Sequence, residues 1–449
     1  MDQKSPALSD VLAQLDDETR EGLARHLGEA DPDVLKRLAQ NGFGGNGASA
    51  QKKKRERDVP PVDGDYYGIR KVLTDEQEAY CTFVRTFMEE HVRPIINDYW
   101  NRHEFPMEVV PKFGAHAEQF FGERGFGSRE RSPVASGMAG MEMSRVDPSI
   151  TTFFGVHTGL AMTSIFEFGS EEQKEKWLPP MERFEKIGSW ALTEPEHGSD
   201  ASLGLATTAR REGNGWILDG KKKWSGNATI ADVNVIWARS TEDGEVKGFL
   251  VERDMPGYHV EKLGDKIAKR AVDNVNITLD GVKVPEAARL SGVESFRDVS
   301  GQLGRARGGV AWEATGLAMA VYENSLEYAN ERLQFGKPIT SFQLVQDMLV
   351  QMLGNVTAMQ SMCLRLAQMQ EEGTPATPGH ASLAKSFCCT KMRETAAIGR
   401  GLLGGNGILL EHDVARLFAD AEAVYSYEGT HEMNTLIVGR EITGRSAFV

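Results

Sequence analysis

The sequence predicts a mainly α protein with a central antiparallel β domain, on three observations. Apolar residues recur three or four apart from Leu73 to about Lys186, and the period shortens to two around Trp190. Asn-Gly and Asp-Gly pairs crowd that middle stretch, as hairpin turns do. After Arg305 the helical period returns, in long runs with few breaks. The chain therefore divides into a helical extension and linker (1–64), an α-helical domain (65–188), a β domain (189–298) and a C-terminal helical bundle (299–449).

In the extension, Leu8, Val11, Leu12 and Leu15, then Leu23, Leu27, Val34, Leu35 and Leu38, keep helical spacing. Ser9 suits a helix cap, and Asp31 precedes Pro32, which suits a first helical turn. From Gly42 to about Asp65, Gly, Ala, Lys and Pro dominate, with Lys52-Lys53-Lys54-Arg55 reading as a solvated linker. Thr74 with Gln77 forms a capping-box pattern, Phe83, Val84, Phe87 and Met88 share a face, and Pro94 ends it. Gly125-Phe126-Gly127 and Pro133 mark breaks, and Ser170-Glu171-Glu172 opens a further helix.

Strand-like runs follow at 205–209, 216–218, 233–238, 248–251 and 275–279. Asn214-Gly215, Asp219-Gly220, Asp243-Gly244 and Asp280-Gly281 read as the turns between them. In the last region Val345, Met348, Met352, Val356, Met359 and Cys363 fall three or four apart, the pattern of a bundle core.

Composition narrows the function classes. With 449 residues, 40% hydrophobic and 26% charged, the chain is long enough for several domains around large cores. Its 51 basic against 65 acidic residues give a net charge of −14, which argues against a nucleic-acid partner. Cys81, Cys363, Cys388 and Cys389 form no Cys-x-x-Cys pair, so neither a metal site nor a disulfide framework is expected. No run approaches a membrane span, no secretory leader opens the chain, and Ser446-Ala447-Phe448-Val449 is no Ser-Lys-Leu address; the expectation is a cytoplasmic protein without membrane insertion. Gly-x-Gly-x-x-Gly after a strand, the Walker lysine motif, His-Glu-x-x-His and Gly-x-Ser-x-Gly are all absent.

What remains is a set of polar, glycine-bearing loops. Tyr427-Glu428-Gly429-Thr430 puts a carboxylate between an aromatic that strips water and a glycine that admits a substrate. Burial there would raise the carboxyl pKa and make Glu428 a proton acceptor. The same glutamate also suits a helix N-terminus, where the dipole favours it. Trp190-Ala191-Leu192-Thr193-Glu194-Pro195-Glu196-His197-Gly198-Ser199-Asp200 leaves a strand with hydroxyls placed to serve a planar heteroaromatic ring.

From about residue 65 onward the chain resembles the acyl-CoA dehydrogenase and acyl-CoA oxidase flavoproteins. Leu192-Thr193-Glu194-Pro195 with Gly198-Ser199-Asp200 is similar to the family's first signature, and Lys223-Trp224-Ser225-Gly226-Asn227 to its second flavin loop. Arg332-Leu333-Gln334-Phe335-Gly336 resembles the segment that reaches a neighbouring subunit's FAD. Leu403-Gly404-Gly405-Asn406-Gly407 resembles its glycine loop, and Tyr427-Glu428-Gly429-Thr430 the base-bearing segment.

The resemblance implies an α bundle, a β barrel and an α bundle. It implies FAD held by Trp190, Leu192, Thr193, Trp224, Ser225, Arg332, Gln343, Gly404, Gly405 and Thr430, with no metal. Ser199, Arg307 and Gly429 would meet the CoA or thioester, Arg305 being the alternative match for Arg307. Glu428 would remove the pro-R α-proton of an acyl-CoA while the β-hydrogen leaves as hydride to flavin. The thioester oxygen would be held by a ribityl hydroxyl and the Glu428 backbone N–H.

Within the family the chain is most similar to glutaryl-CoA dehydrogenases and plant-type short-chain acyl-CoA oxidases, through Asp65-Tyr66-Tyr67, Ser144-Arg145-Val146-Asp147, the run from Val350 to Val356, and Ile442-Thr443-Gly444. Thr151 stands where glutaryl-CoA dehydrogenases carry an arginine, so no acyl-pocket cation, and no decarboxylation, is expected. Phe153 and Phe154 would narrow the acyl tunnel or pack in the core. Gly226 replaces a common threonine and Gly304 a common pantetheine-binding aspartate. The resulting expectation is dehydrogenation of a short- or medium-chain acyl-CoA by a homotetramer that passes electrons to an electron-transferring flavoprotein. An oxygen-using oxidase and a non-catalytic flavin-binding scaffold are the alternatives.

Overall fold

The computed structural model describes residues 63–122, 125–126, 132–374 and 377–448; the expected helices and linker of the extension lie outside the described residues. The helix α1 (Asp75–His91) starts at a capping box in which Thr74 Oγ1 accepts from Gln77 N at 3.3 Å and Gln77 Oε1 accepts from Thr74 N at 3.0 Å. It buries Cys81, Val84, Phe87 and Met88. α2 (Arg93–Arg102) follows with Pro94 in its first turn, where a missing N–H costs nothing. α3 (Pro133–Ser144) buries eight of its twelve residues. α4 (Pro148–Phe154) is capped by Asp147. It runs straight into a π-helical stretch, Gly155–Met162, a geometry that often marks a functional wall. α5 (Glu171–Glu182) opens on the Ser170 capping box.

The middle of the chain forms a seven-stranded sheet: β1 (Gly188–Ala191), β2 (Thr208–Glu212), β3 (Gly215–Gly226), β4 (Val233–Ser240), β5 (Val246–Glu252), β6 (Tyr258–Lys262) and β7 (Asn274–Pro285). Its path is β1-β4-β2-β3-β7-β6, with β5 also on β4. The sheet is mixed rather than purely antiparallel, because β1 and β2 both pair with β4 in parallel. Long connections precede β4 from both strands, and parallel pairing requires such crossovers. Asp219-Gly220 and Asp280-Gly281 are not turns either. They face each other inside β3 and β7 as a register shift, with Gly220 at φ +150° and Gly281 N donating to Asp219 Oδ1 at 2.8 Å.

The last region opens with α6 (Phe296–Glu331), which packs against α3 and against α7 (Gln343–Glu371), α8 (Pro378–Leu402) and α9 (Val414–Ser426). A short ribbon, β8 (Leu333–Gln334) and β9 (Lys337–Pro338), joins α6 to α7. Met352, Val356, Met359 and Cys363 on α7 are fully buried, as their spacing implies. α10 (His431–Thr443) closes the chain. Arg416, fully buried on α9, pairs with Asp147, the cap of α4, and with Asp413 at 3.2 Å, and donates to Asn97 on α2 at 2.8 Å. That cluster fixes the helix whose end carries Glu428. Among the described residues no helix is long and apolar enough to cross a membrane.

Candidate active site

Glu428 lies in the four-residue link between α9 and α10. It sits at φ +53° and Gly429 at φ +84°, two successive residues in the left-handed region. A glutamate held there is strained, and such strain persists only where the surroundings enforce it. They do: Lys385 Nζ on α8 donates to Tyr425 O at 2.8 Å and to Gly429 O at 2.9 Å, and Asn434 Nδ2 donates to Gly429 O at 2.9 Å. The capping of α10 falls to Thr430, whose Oγ1 accepts from Met433 N at 3.3 Å. Glu428 is not needed as a cap.

Its Oε2 is enclosed and has no hydrogen-bond partner among the described residues. Burial pushes the Glu428 carboxyl up to about 7, with Arg307 and Lys385 pulling it back and Glu313 adding to the rise.

Opposite this link, β1 and the end of β3 supply a second wall. Trp190 Nε1 donates to Ser164 Oγ at 3.2 Å, Ser164 Oγ donates to Gln302 Oε1 at 3.0 Å, and Trp237 meets the indole edge-on at 5.8 Å. The Trp190 ring is therefore locked. Glu194, buried in the loop that follows, pairs with the fully buried Lys222 at 2.8 Å and accepts from Ala206 N and Thr207 N. Lys223 N donates to Thr193 O at 2.8 Å, tying the Thr193 loop to Trp224 and Ser225. Trp224 takes φ +67°, and Ser225 Oγ is buried without a partner among the described residues. A Cβ on Gly226 would stand 3.2 Å from Val156 Cγ2, so β3 abuts the π-helical wall.

These elements enclose a cavity of about 1440 Å³, lined by Trp190, Leu192, Thr193, Ser199, Trp224, Ser225, Glu428, Gly429 and Thr430 from the predicted set. The chemistry fits a flavin: a locked indole, a threonine at the wall and an orphaned serine hydroxyl are what a planar ring with donors and acceptors on its edge requires. Arg332, Gln343, Gly404 and Gly405 are not brought to this cavity; all four are exposed at helix ends. Of the two arginines, Arg305 lines the cavity but reaches Glu167 at 2.5 Å. Arg307 is not at the lining, yet its buried Nε lacks a partner among the described residues and its charge acts on Glu428.

The wall at Thr151 holds a cation to which no sequence motif pointed, already paired within the protein. Thr151 does line the cavity, but beside it the buried Lys269 ammonium contacts Thr152 Oγ1 and Glu313 Oε1 and reaches Tyr427 Oη at 2.6 Å. Tyr427 donates in turn to Glu313 Oε2 at 2.6 Å. The cation comes from the loop before β7, far in sequence from Thr151. One signal for this cluster stood in the sequence: Glu313 interrupts the apolar run Val310-Ala311-Trp312 on a buried helix face. Phe154 lines the cavity, whereas Phe153 packs against Phe105 at 4.7 Å in the core.

Three family descriptions match in succession: Acyl-CoA dehydrogenase, N-terminal domain, over residues 74–185, the middle domain over 189–282, and the C-terminal domain over 296–443. The mitochondrial short-chain specific acyl-CoA dehydrogenase of Rattus norvegicus is 30% identical over 409 residues, covering 87% of this chain and 95% of the relative. The crystal structure of glutaryl-CoA dehydrogenase from Mycobacterium smegmatis matches with a TM-score of 0.82 at 37% identity, covering 86% of this chain and 99% of that one. A glutaryl-CoA dehydrogenase structure from the same organism, in complex with FADH2, matches with a TM-score of 0.82 at 32% identity, covering 86% of this chain and 100% of that one. With its three regions matched in order and an FADH2-bound neighbour aligned along most of its length, the chain belongs to the acyl-CoA dehydrogenase family and is an FAD-dependent oxidoreductase.

Proposed function

We propose that the chain carries out α,β-dehydrogenation of a short- or medium-chain acyl-CoA, with Glu428 as the base. The observation that carries this reading is the enclosed, unpartnered Oε2 of a carboxyl raised to about 7. Glu428 takes the α-proton. Its backbone N–H is assigned to the thioester oxygen, where charge develops as the proton leaves. Trp190, Leu192, Thr193, Trp224, Ser225 and Thr430 are assigned to one flavin face and edge, and Ser199, Arg307 and Gly429 to the CoA thioester. When bound, FAD supplies the acceptor for the β-hydride.

Arg332, Gln343, Gly404 and Gly405 are assigned to the FAD of a second copy, in a homotetramer, which accounts for their exposure. An electron-transferring flavoprotein is the proposed acceptor. The oxidase reading attaches to Gly226, which leaves the flavin-side wall one side chain smaller.

Anaerobic titration of the holoenzyme with a ladder of acyl-CoAs tests the substrate class. Bleaching of the flavin by short and medium chains is expected, and bleaching by none of them overturns it. Admitting air afterwards tests the acceptor: slow reoxidation is expected, and stoichiometric peroxide replaces the dehydrogenase reading with the oxidase one.

A further inference from the structure

The acyl side of the cavity, next to Tyr427 and Glu428, is walled by Thr151, Thr152, Lys269, Glu313 and Tyr427. Every donor in this group is spent within the protein. The Lys269 ammonium uses its three N–H groups on Thr152 Oγ1, Glu313 Oε1 and Tyr427 Oη. Tyr427 gives its proton to Glu313 Oε2, and burial beside that carboxylate raises the phenol pKa, so it stays a donor there. Thr151 Oγ1 donates to Asp147 O at 2.8 Å and Thr152 Oγ1 to Pro148 O at 3.0 Å.

What is left over is acceptor capacity. A carboxylate offers about four lone-pair sites, and Glu313 uses two on Lys269 and Tyr427, with a third contact from Thr152 only at 3.4 Å. The Thr151 hydroxyl oxygen also accepts nothing among the described residues. Lys269 and Glu313 cancel in charge, so the wall offers no free cation to a substrate carboxylate.

We infer that this wall selects an acyl group bearing a hydrogen-bond donor, a hydroxyl or an amide N–H, over both a bare alkyl chain and one ending in a carboxylate. The inference rests on the dehydrogenase reading above. A hydroxyl satisfies a Glu313 or Thr151 lone pair, an alkyl chain leaves it unmet in a dry pocket, and a carboxylate meets lone pairs and a second negative charge.

The test is anaerobic flavin bleaching of the wild-type holoenzyme by acyl-CoAs of matched chain length with an unsubstituted, an ω-hydroxy or an ω-carboxy end. The ω-hydroxyacyl-CoA is expected to exceed the unsubstituted one by at least about tenfold in the apparent second-order rate constant of bleaching, the value of one hydrogen bond to a charged group. The ω-carboxy compound is expected to be slowest. Unsubstituted or ω-carboxy compounds reacting as well as the hydroxy one overturn the inference while leaving the dehydrogenase reading intact. Bleaching by none of the three, with FAD bound, overturns both.

A Lys269→Met, Glu313→Leu double variant replaces the paired charges together, a change that buried ion pairs tolerate. It is expected to abolish the hydroxyl preference; a preference of unchanged size in this variant overturns the assignment to this wall. The wild-type ratios decide the matter alone if the variant does not fold.

Discussion

Glu428 is held at a left-handed φ by Lys385 and Asn434 while its Oε2 has no partner among the described residues, so the surrounding side chains bond the backbone of the link and leave that oxygen open to the cavity. Glu428→Gln keeps the shape and removes the base. FAD content is expected to hold while the bleaching rate falls by about 10²–10⁴-fold; stopped-flow bleaching at an unchanged rate would remove Glu428 from its role. The same variant has a stability signature. A carboxyl raised from 4.5 to about 7 contributes stability that is complete below pH about 4.5 and lost as pH rises to about 7. The melting temperature of Glu428→Gln relative to wild type is therefore expected to climb across that window and then level. A flat difference across the window means the carboxyl is not raised.

At the scale of elements, α6 crosses α3 in close contact. α6 and α3 approach so tightly at Gly316 that a Cβ there would lie 2.1 Å from Met141 O and 3.0 Å from Ser144 Cβ. Both neighbours sit in a buried helix and have nowhere to go. Gly316→Ala is expected to cost about 1–3 kcal/mol as the two helices are forced apart, read as a lower urea midpoint at an unchanged slope. A midpoint equal to wild type would show that the crossing is looser than it stands here. The same crossing carries Glu313 toward Lys269 and Tyr427, so the variant should also weaken acyl-CoA binding.

At the scale of the whole molecule, several large apolar side chains are exposed close together in sequence. Leu333, Phe335, Leu344 and Val350 are exposed around the α6–α7 connection, Phe335 by 92%, at the ribbon that follows Arg332. A ribbon tip with an exposed phenylalanine suits contact with a second copy, as the proposed tetramer requires. Phe335→Asp is expected to yield a smaller species by light scattering and a preparation poorer in FAD. An unchanged assembly with full FAD would place the contact elsewhere.

The helix–sheet–helix order was legible in the residues because periodicity and capping are local: Thr74 with Gln77, Ser170, and the Met352 to Cys363 stripe each declare their element within a few positions. The loops at 190–200 and 223–227 and the segment 427–430, which the structure brings to one cavity, stood out for the same reason, each being a short contiguous motif. Strand pairing was not: the parallel register of β1 on β4, and the bulge where two Asp-Gly pairs suggested turns, depend on which distant strands meet. Nor was the wall of Lys269, Glu313 and Tyr427, drawn from a loop, a long helix and a helix junction. The sequence by itself determined the elements, the flavin-side motifs and the presence of a glutamate between a tyrosine and a glycine. Only the tertiary structure decided that this glutamate lines a cavity with one carboxylate oxygen enclosed and unpartnered among the described residues, beside a donor-spent wall, because burial and pairing arise where segments remote in sequence close on one another.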